Sequence, residues 1–372
     1  MNSDNLQYLF LCVQPGAESA IKEEIAATWP NLRFAFSRTG FLTFKVAEGR
    51  PFLPGFDLKS TFARTYGFSI GRVEGDGDAA KARLACRIAA GMRFDQIHIW
   101  HRETMSLTDS PLSVKADSPL ALDVAQEAVA AELCDQKIRI NRRARTGDAV
   151  LDIIIIDDQL WWVGWHQASS HILRQPGGLF PVDQLPEHAV SRAYLKMQEA
   201  LMWSQLPLQK GDRCVEIGSA PGGACQALLE RQLLVTGIDP SEMHPTVLAS
   251  PNFTHIKKRG SDLKRPEYAT FKWLMTDANI LPDKTLAMLE SIATHASVRL
   301  DGMLITLKLP DWSAAAEIPE YLRRIRSWGF KHVRARQLRH NRQEICVAAV
   351  RSKTLSRLRH QRKKSGKRHD KR

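Results

Sequence analysis

The sequence predicts a two-part α/β chain: an α+β region first, then a domain built on a doubly wound, mostly parallel sheet. Three observations carry this expectation. Beyond Glu187, short apolar runs alternate with helical stretches, the pattern of parallel strands joined by crossover helices. At Val215-Glu216-Ile217-Gly218-Ser219-Ala220-Pro221-Gly222-Gly223-Ala224 an apolar strand enters a turn of small residues and continues as a helix. Ahead of both lies the Pro- and Gly-rich stretch His171 to Glu187, which reads as a linker.

The totals fit that division. With 372 residues the chain is long enough for two or three domains, and 44% apolar with 25% charged residues is the composition of a core-forming protein. A formal charge of +13 points to a polyanionic partner, since a phosphate backbone rewards clustered Lys and Arg by counterion release. Solubility is the other account of that charge. The polar start, Met1 to Asn5, lacks the order of a signal peptide, and neither a lipidation signal nor a sustained apolar span suggests a membrane. Cys12, Cys86, Cys134, Cys214, Cys225 and Cys346 are scattered without a Cys-x-x-Cys pair, which suits reduced thiols in a cytoplasm. No Cys/His spacing resembles a zinc site, so no metal is expected, and His98 and His101 read as packing or surface residues.

Taken in order, residues 1–50 read as a small α+β unit. LQYLFLCV is a strand, AESAIKEEIAATW a helix, and RFAFSRTGFLTFKV a hairpin around Thr39-Gly40. Residues 51–170 form a second section: helix AAKARLACRIAAGM, strand QIHIWHRE, helix ALDVAQEAVAAELC, and a hairpin of AVLDIIII and LWWVGWH around Asp157-Asp158-Gln159. Inside it, KIRINRRAR carries Lys137, Arg139, Arg142, Arg143 and Arg145, either a holder of RNA phosphates or a solvated loop. Alternation sends at least one of Trp161, Trp162 and Trp165 into the core, and packing is the preferred role for most of them over base stacking. After the linker, residues 188–350 offer six strands: RCVEIG, LLVTGID, FTHIKK, KWLMTD, GMLITLKL and EICVAAV. From Arg351 to Arg372 a run of Lys and Arg has Asp370 as its only acid, and is expected to be a disordered basic tail that meets nucleic acid.

The glycine turn is the most informative local motif. Small residues let a ligand approach the backbone, and a helix start offers unpaired N–H groups. The spacing Gly218, Ala220, Gly222, Gly223 departs from G-x-G-x-x-G, while Asp239, at the end of the next strand, stands where an acid can bond ribose hydroxyls. An adenosine-containing ligand fits. Spacing alone leaves a dinucleotide and S-adenosylmethionine both open.

The surrounding motifs decide between them. Ser191-Arg192-Ala193-Tyr194-Leu195-Lys196 precedes the glycine strand, and Trp273-Leu274-Met275-Thr276-Asp277 ends the fourth strand. Leu307-Lys308-Leu309-Pro310 ends another, and Arg342-Gln343-Glu344-Ile345 opens the last. The order Lys196, Asp277, Lys308, Glu344 resembles the Lys-Asp-Lys-Glu tetrad of the FtsJ-type ribose 2′-O-methyltransferases. SRAYLK, EIGSAPGG, LKLP and ARQLRHNRQE look most like the RlmM branch, which methylates a cytidine ribose in bacterial 23S ribosomal RNA. Specific motifs carry the resemblance from Pro186 to Val350; over the first 170 residues it rests on layout.

The resemblance implies a Rossmann-like class I methyltransferase domain preceded by a ferredoxin-like and THUMP-like RNA-binding region, with S-adenosylmethionine as cofactor and ribosomal RNA as partner. A ribose hydroxyl is a poor nucleophile at neutral pH and needs a base, and a lysine serves only when neutral. Lys308 is therefore expected as the base, Lys196 as the cation that tunes it, and Asp277 and Glu344 as orienting groups. By the same matching Ser191, Gly218, Gly222, Gly223, Ala224, Asp239, Asp262 and Asp277 are the expected cofactor contacts. Two positions depart from the family: Ala224 stands where a Trp is common, and Asp262 reaches the adenine-binding position only with a shifted loop. Other readings are the same chemistry on tRNA or another RNA, a non-enzymatic RNA-binding protein with a decayed methyltransferase fold, and a nicotinamide oxidoreductase. The Pro221 turn and the basic balance disfavour the last.

Overall fold

The computed structural model describes residues 7–47, 52–104, 119–132, 138–182 and 184–354, and divides the chain into two compact units between Phe180 and Pro181. The first unit runs β1 (Tyr8–Cys12), α1 (Glu18–Thr28), β2 (Leu32–Arg38), β3 (Phe41–Val46), β4 (Thr65–Glu74), α2 (Asp78–Ile88), β5 (Gln96–His101), α3 (Pro119–Glu132), β6 (Arg139–Ile140), β7 (Ala149–Ile155) and β8 (Leu160–Gln167). These strands form one eight-stranded sheet in the order β2-β3-β1-β4-β8-β7-β5-β6. Pairing is antiparallel from β2 to β7 and parallel from β7 through β5 to β6.

This sheet is apolar on both faces. Ile153 and Ile155 join the core beneath α2 and α3, while Ile154 and Ile156 join Phe10, Phe41 and Trp162 on the other side. That explains an unbroken Ile run where a half-exposed strand would alternate. Each fully buried Ile contributes roughly 1.5–3 kcal/mol. Trp161 and Trp162 take opposite faces, and Trp165 stacks on Phe68 at 5.0 Å, so all three pack, as expected for most of them.

Strand β4 has no counterpart among the predicted elements. Its sequence TYGFSIGRVE holds two glycines, which weaken a strand pattern. Here Gly67 permits a close approach: a Cβ on it would lie 2.4 Å from the Trp165 carbonyl oxygen. The predicted linker is also ordered through Phe180. Ile172, Leu173 and Phe180 are buried, and the His166 Nε2–H donates to the Leu173 carbonyl at 2.6 Å. Apolar side chains among the Pro and Gly residues give this stretch something to pack.

The basic segment is likewise pinned by its backbone. The Asn141 side chain accepts from the Ile99 N–H at 2.7 Å and donates to the Ile99 carbonyl at 2.8 Å. The His98 Nε2–H donates to the Arg142 carbonyl at 3.0 Å, and the Arg174 guanidinium to the Ala144 carbonyl at 2.6 Å. Arg142, Arg143 and Arg145 stand exposed, and Arg139 pairs with Asp148 at 3.3 Å. Lys137 lies outside the described residues.

The second unit runs α4 (Ala193–Ser204), β9 (Arg213–Ile217), α5 (Gly223–Leu229), β10 (Leu234–Ile238), α6 (Pro245–Leu248), β11 (Phe253–Ile256), β12 (Trp273–Thr276), α7 (Pro282–Ala293), β13 (Gly302–Lys308), α8 (Ile318–Ser327), β14 (His332–Arg336) and β15 (Glu344–Val350). Its sheet has the order β11-β10-β9-β12-β13-β15-β14. The first five strands are parallel, and β15 runs antiparallel between β13 and β14. The doubly wound, mostly parallel sheet is thus present, and all six predicted runs became strands. Strand β14, HVRAR, is the one not predicted: it lies at the sheet edge and buries only Val333. The strand order reverses between β9 and β12, where such sheets open a ligand crevice at their carboxyl ends.

The first residues of the expected basic tail are held in the fold. The Arg351 guanidinium donates to the Leu300 carbonyl at 2.8 Å and covers the Phe330 ring at 4.5 Å, and Thr354 bonds Asp301 at 3.0 Å. From Leu355 the tail lies outside the described residues. Among the described residues no helix is long and apolar enough to cross a membrane.

Candidate active site

Four elements deliver the predicted tetrad. Asp277 follows β12, Lys308 ends β13, Glu344 opens β15, and Lys196 lies in the first turn of α4. The β13–β15 register sets Lys308 directly opposite Glu344. Lys196 Nζ donates to Asp277 Oδ2 at 3.3 Å and also to Glu344 Oε1. Lys308 Nζ donates to Glu344 Oε2 and lies 3.6 Å from Asp277 Oδ1, beyond hydrogen-bond reach but close enough for attraction. Two ammonium groups and two carboxylates therefore alternate in a ring, with each lysine facing both acids.

The ring is largely shielded: side-chain exposure is 3% for Glu344, 17% for Asp277 and 24% for each lysine. Burial pulls the Lys196 ammonium down, but the charges of Asp277 and Glu344 and its bonds to both outweigh that, so its pKa is raised. Burial pushes the Glu344 carboxyl up, and Lys196 and Lys308 outweigh that, holding it below the usual carboxylate value. Removing one member leaves its partners as uncompensated, half-buried charge, which is more costly than the pair is favourable.

The predicted cofactor residues gather beside this ring. Gly218 (φ +81°) follows β9 and lies against Ala278: a Cβ on it would sit 3.1 Å from the Ala278 Cα. Gly222 (φ +117°) caps α5, and a Cβ on Gly223 would meet the Ser191 hydroxyl at 2.2 Å. Asp239 accepts from the Ala220 N–H at 3.2 Å and the Ser241 N–H at 2.8 Å, which ties the end of β10 to the glycine turn. Ala224 lines a pocket with Lys196, Met197, Asp277 and Asn341. Asp262 lies in an exposed turn, its carboxylate accepting from the Ser261 hydroxyl at 2.9 Å. Its neighbour Gly260 packs on Ile217, the residue before Gly218.

Two buried polar atoms lack a hydrogen-bond partner here: Ser191 Oγ and Asp277 Oδ1. Both flank the glycine turn or the tetrad, and a ligand with a cationic centre and polar groups satisfies such atoms. The residues present thus fit the S-adenosylmethionine that the motifs imply.

Sequence reasoning missed three contributors. Asn341 donates from Nδ2 to Glu344 Oε1 at 3.2 Å, and the Thr276 hydroxyl donates to the Ile217 carbonyl at 3.0 Å, joining β12 to β9. Asn341 stands three residues before Glu344 in ARQLRHNRQE, so its place in the motif was its only signal. Glu216, fully buried on β9, has its pKa pushed up to about 8 by burial, with Asp277 and Asp239 adding, while a bond from the Cys225 thiol at 2.9 Å opposes.

Residues 189–300 match the FtsJ-like methyltransferase family. Ribosomal RNA large subunit methyltransferase M of Tolumonas auensis is 26% identical over 221 residues, which cover 56% of this chain and 59% of that protein. The protein of that name from Azotobacter vinelandii is 32% identical over 44% of this chain and 48% of its own. That from Pseudomonas entomophila is 30% identical over 50% and 53%. The chain therefore spans about half the length of the curated relatives it matches. Among solved structures, TrmN from Thermus thermophilus covers 92% of this chain and 99% of its own at 12% identity and a TM-score of 0.32, too distant to bear on the assignment.

Proposed function

Because residues 189–300 are an FtsJ-like methyltransferase domain, related to the M-type large-subunit enzymes, we propose that the chain is an S-adenosylmethionine-dependent ribose 2′-O-methyltransferase. Its substrate on this reading is a cytidine of 23S ribosomal RNA, and it works in the cytoplasm. The observation that carries the reading is the alternating Lys196, Asp277, Lys308, Glu344 ring at the carboxyl ends of the sheet, beside a glycine turn.

Ser191, Gly218, Gly222, Gly223, Ala224, Asp239 and Asp277 hold the cofactor, with Asp239 offered to its ribose; Asp262 is the remaining candidate, for the adenine. When bound, S-adenosylmethionine supplies an electrophilic methyl and a positive charge. Lys196 is held by both acids through hydrogen bonds, whereas Lys308 bonds only Glu344, so Lys308 is the residue placed to accept the proton of the ribose hydroxyl. Asp277 and Glu344 orient the two amines.

On the same reading the first unit, ferredoxin-like over 1–50 and THUMP-like over 51–170, binds RNA. Arg142, Arg143 and Arg145 meet phosphates there, and the basic tail to Arg372 adds charge. The deciding experiment is transfer of radiolabelled methyl from S-adenosylmethionine to rRNA from cells lacking this protein, with Lys308→Ala alongside. Label in a nuclease-resistant 2′-O-methylated cytidine dinucleotide, lost in the variant while its cofactor affinity stays within a few-fold, is expected. Label on tRNA alone changes the substrate, and cofactor binding without transfer to any RNA sinks the proposal.

A further inference from the structure

Three tetrad members are placed by the sheet. Asp277 follows β12, and Lys308 and Glu344 face each other across the β13–β15 ladder, so backbone pairing alone sets their spacing. Lys196 is different, because it rides on helix α4, which has no ladder to hold its register against β15. Something must fasten that helix to the sheet at the level of the site.

Glu199 is the group in that position. It stands three residues after Lys196, which puts both side chains on one face of α4. It is 4% exposed. Its Oε1 accepts from the Arg339 N–H at 2.9 Å and its Oε2 from the His340 N–H at 2.9 Å. Those two amides belong to the loop between β14 and β15, and the same loop carries Asn341. The Asn341 side-chain Oδ1 accepts from the Leu338 N–H at 2.9 Å, and its Nδ2 donates to Glu344 at 3.2 Å. One chain of bonds thus runs from the helix bearing Lys196, through Glu199 and the loop, to the carboxylate that Lys196 and Lys308 share. A second tie, the Arg334 guanidinium donating to the Ser204 carbonyl at 2.7 Å, fixes the far end of α4 to β14.

We propose that Glu199 is a positioning residue for methyl transfer, a two-pronged clamp that sets Lys196 in register with Glu344. The inference rests on the proposed methyltransferase reading for its catalytic consequence, though the clamp itself is testable without it. A carboxylate is the fitting group: two acceptor oxygens meet two neighbouring backbone donors, and a buried N–H left without a partner is costly. Glutamine has the same shape but turns its amide NH2 toward one of those donors, so Glu199→Gln opens half the clamp without making a cavity. Glu199→Asp keeps both acceptors on a shorter arm.

The test compares wild type, Glu199→Gln and Glu199→Asp by amide hydrogen exchange over residues 337–343 and by single-turnover methyl transfer with the cofactor dissociation constant measured separately. The expected result is faster exchange confined to that loop in Glu199→Gln. Its transfer rate falls at least about tenfold, since misplacement of a catalytic group by a fraction of an ångström to 1 Å costs one to two orders of magnitude. Cofactor affinity stays within a few-fold, and Glu199→Asp recovers part of the rate. Unchanged exchange at Arg339 and His340 overturns the clamp whatever the activity. Freed amides with an undiminished rate, or a loss of cofactor affinity matching the loss of rate, overturns the positioning role. If wild type itself transfers no methyl, the activity reading fails, and the exchange comparison still decides the clamp.

Discussion

The tetrad positions were legible through their resemblance to the FtsJ-type motif order, and the place of two of them at strand ends supports it. A Lys or Asp at the end of an apolar parallel strand cannot be a core residue, and it stands where such sheets bind ligands. Glu199 was not legible, since a Glu in a helix reads as solvated charge until the loop folds over it. Glu216 sits in the recognised motif, yet only the fold reveals that it is buried on β9. Its carboxyl, pushed up to about 8 by burial, lies above the unfolded-chain value of 4.5. Between those values the folded chain keeps the proton and the unfolded chain releases it, so this group makes stability fall as pH rises through that window. Glutamine has no such proton. Glu216→Gln should therefore gain on wild type by roughly 2–3 kcal/mol between about pH 6 and pH 8, whatever its fixed offset. Urea unfolding of both proteins at the two pH values checks this, and a pH-independent difference would show Glu216 already ionised in the folded state.

At the scale of elements, what could be read from sequence was whatever a periodic apolar pattern marks. Six strands of the second unit announced themselves as Val-, Ile- and Leu-rich runs. Strand β14 did not, because an edge strand buries one side chain in five and reads as a charged loop. Strand β4 stayed hidden because its glycines serve close approach, Gly67 to the Trp165 carbonyl and Gly71 to the Ile88 side chain, rather than the strand pattern. The glycine turn was legible as a motif, and the fold supplies the reason for its second pair. A Cβ on Gly223 would lie 2.2 Å from Ser191 Oγ and 2.9 Å from both the Ser191 carbonyl oxygen and the Tyr194 nitrogen. Two of these three atoms are backbone, so the α5 start and the segment before α4 must separate. Gly223→Ala should lose about 1–3 kcal/mol of stability by overpacking. It should also weaken cofactor binding at least tenfold, because the displaced segment carries Ser191. Calorimetric titration with S-adenosylhomocysteine measures the latter, and an unchanged affinity would remove Ser191 and Gly223 from the cofactor site.

Over the whole molecule the excess charge of +13 points to a polyanionic partner or to solubility, and does not say where a partner is met. On the proposed reading the first unit meets it. Asn141 and the neutral, buried His98 hold the backbone of the basic segment, so Arg142, Arg143 and Arg145 are presented by a fixed scaffold. The His98 pKa is lowered to about 4, chiefly by burial, which keeps its ring uncharged near Arg142 at neutral pH. Preorganised arginines bind phosphate without first having to be ordered, and each phosphate neutralised releases counterions. Replacing all three arginines by alanine should weaken RNA binding and reduce the slope of log affinity against log salt by about two, at about 0.7 per contact for single strands. The scaffold bonds come from backbone and from His98 and Asn141, so thermal stability should be little changed. Filter binding across a salt series reads the slope directly. An unaltered slope would move the RNA-binding charge elsewhere and leave these arginines as a solvated face, while a loss of affinity at constant slope would mean that they contact bases rather than phosphates.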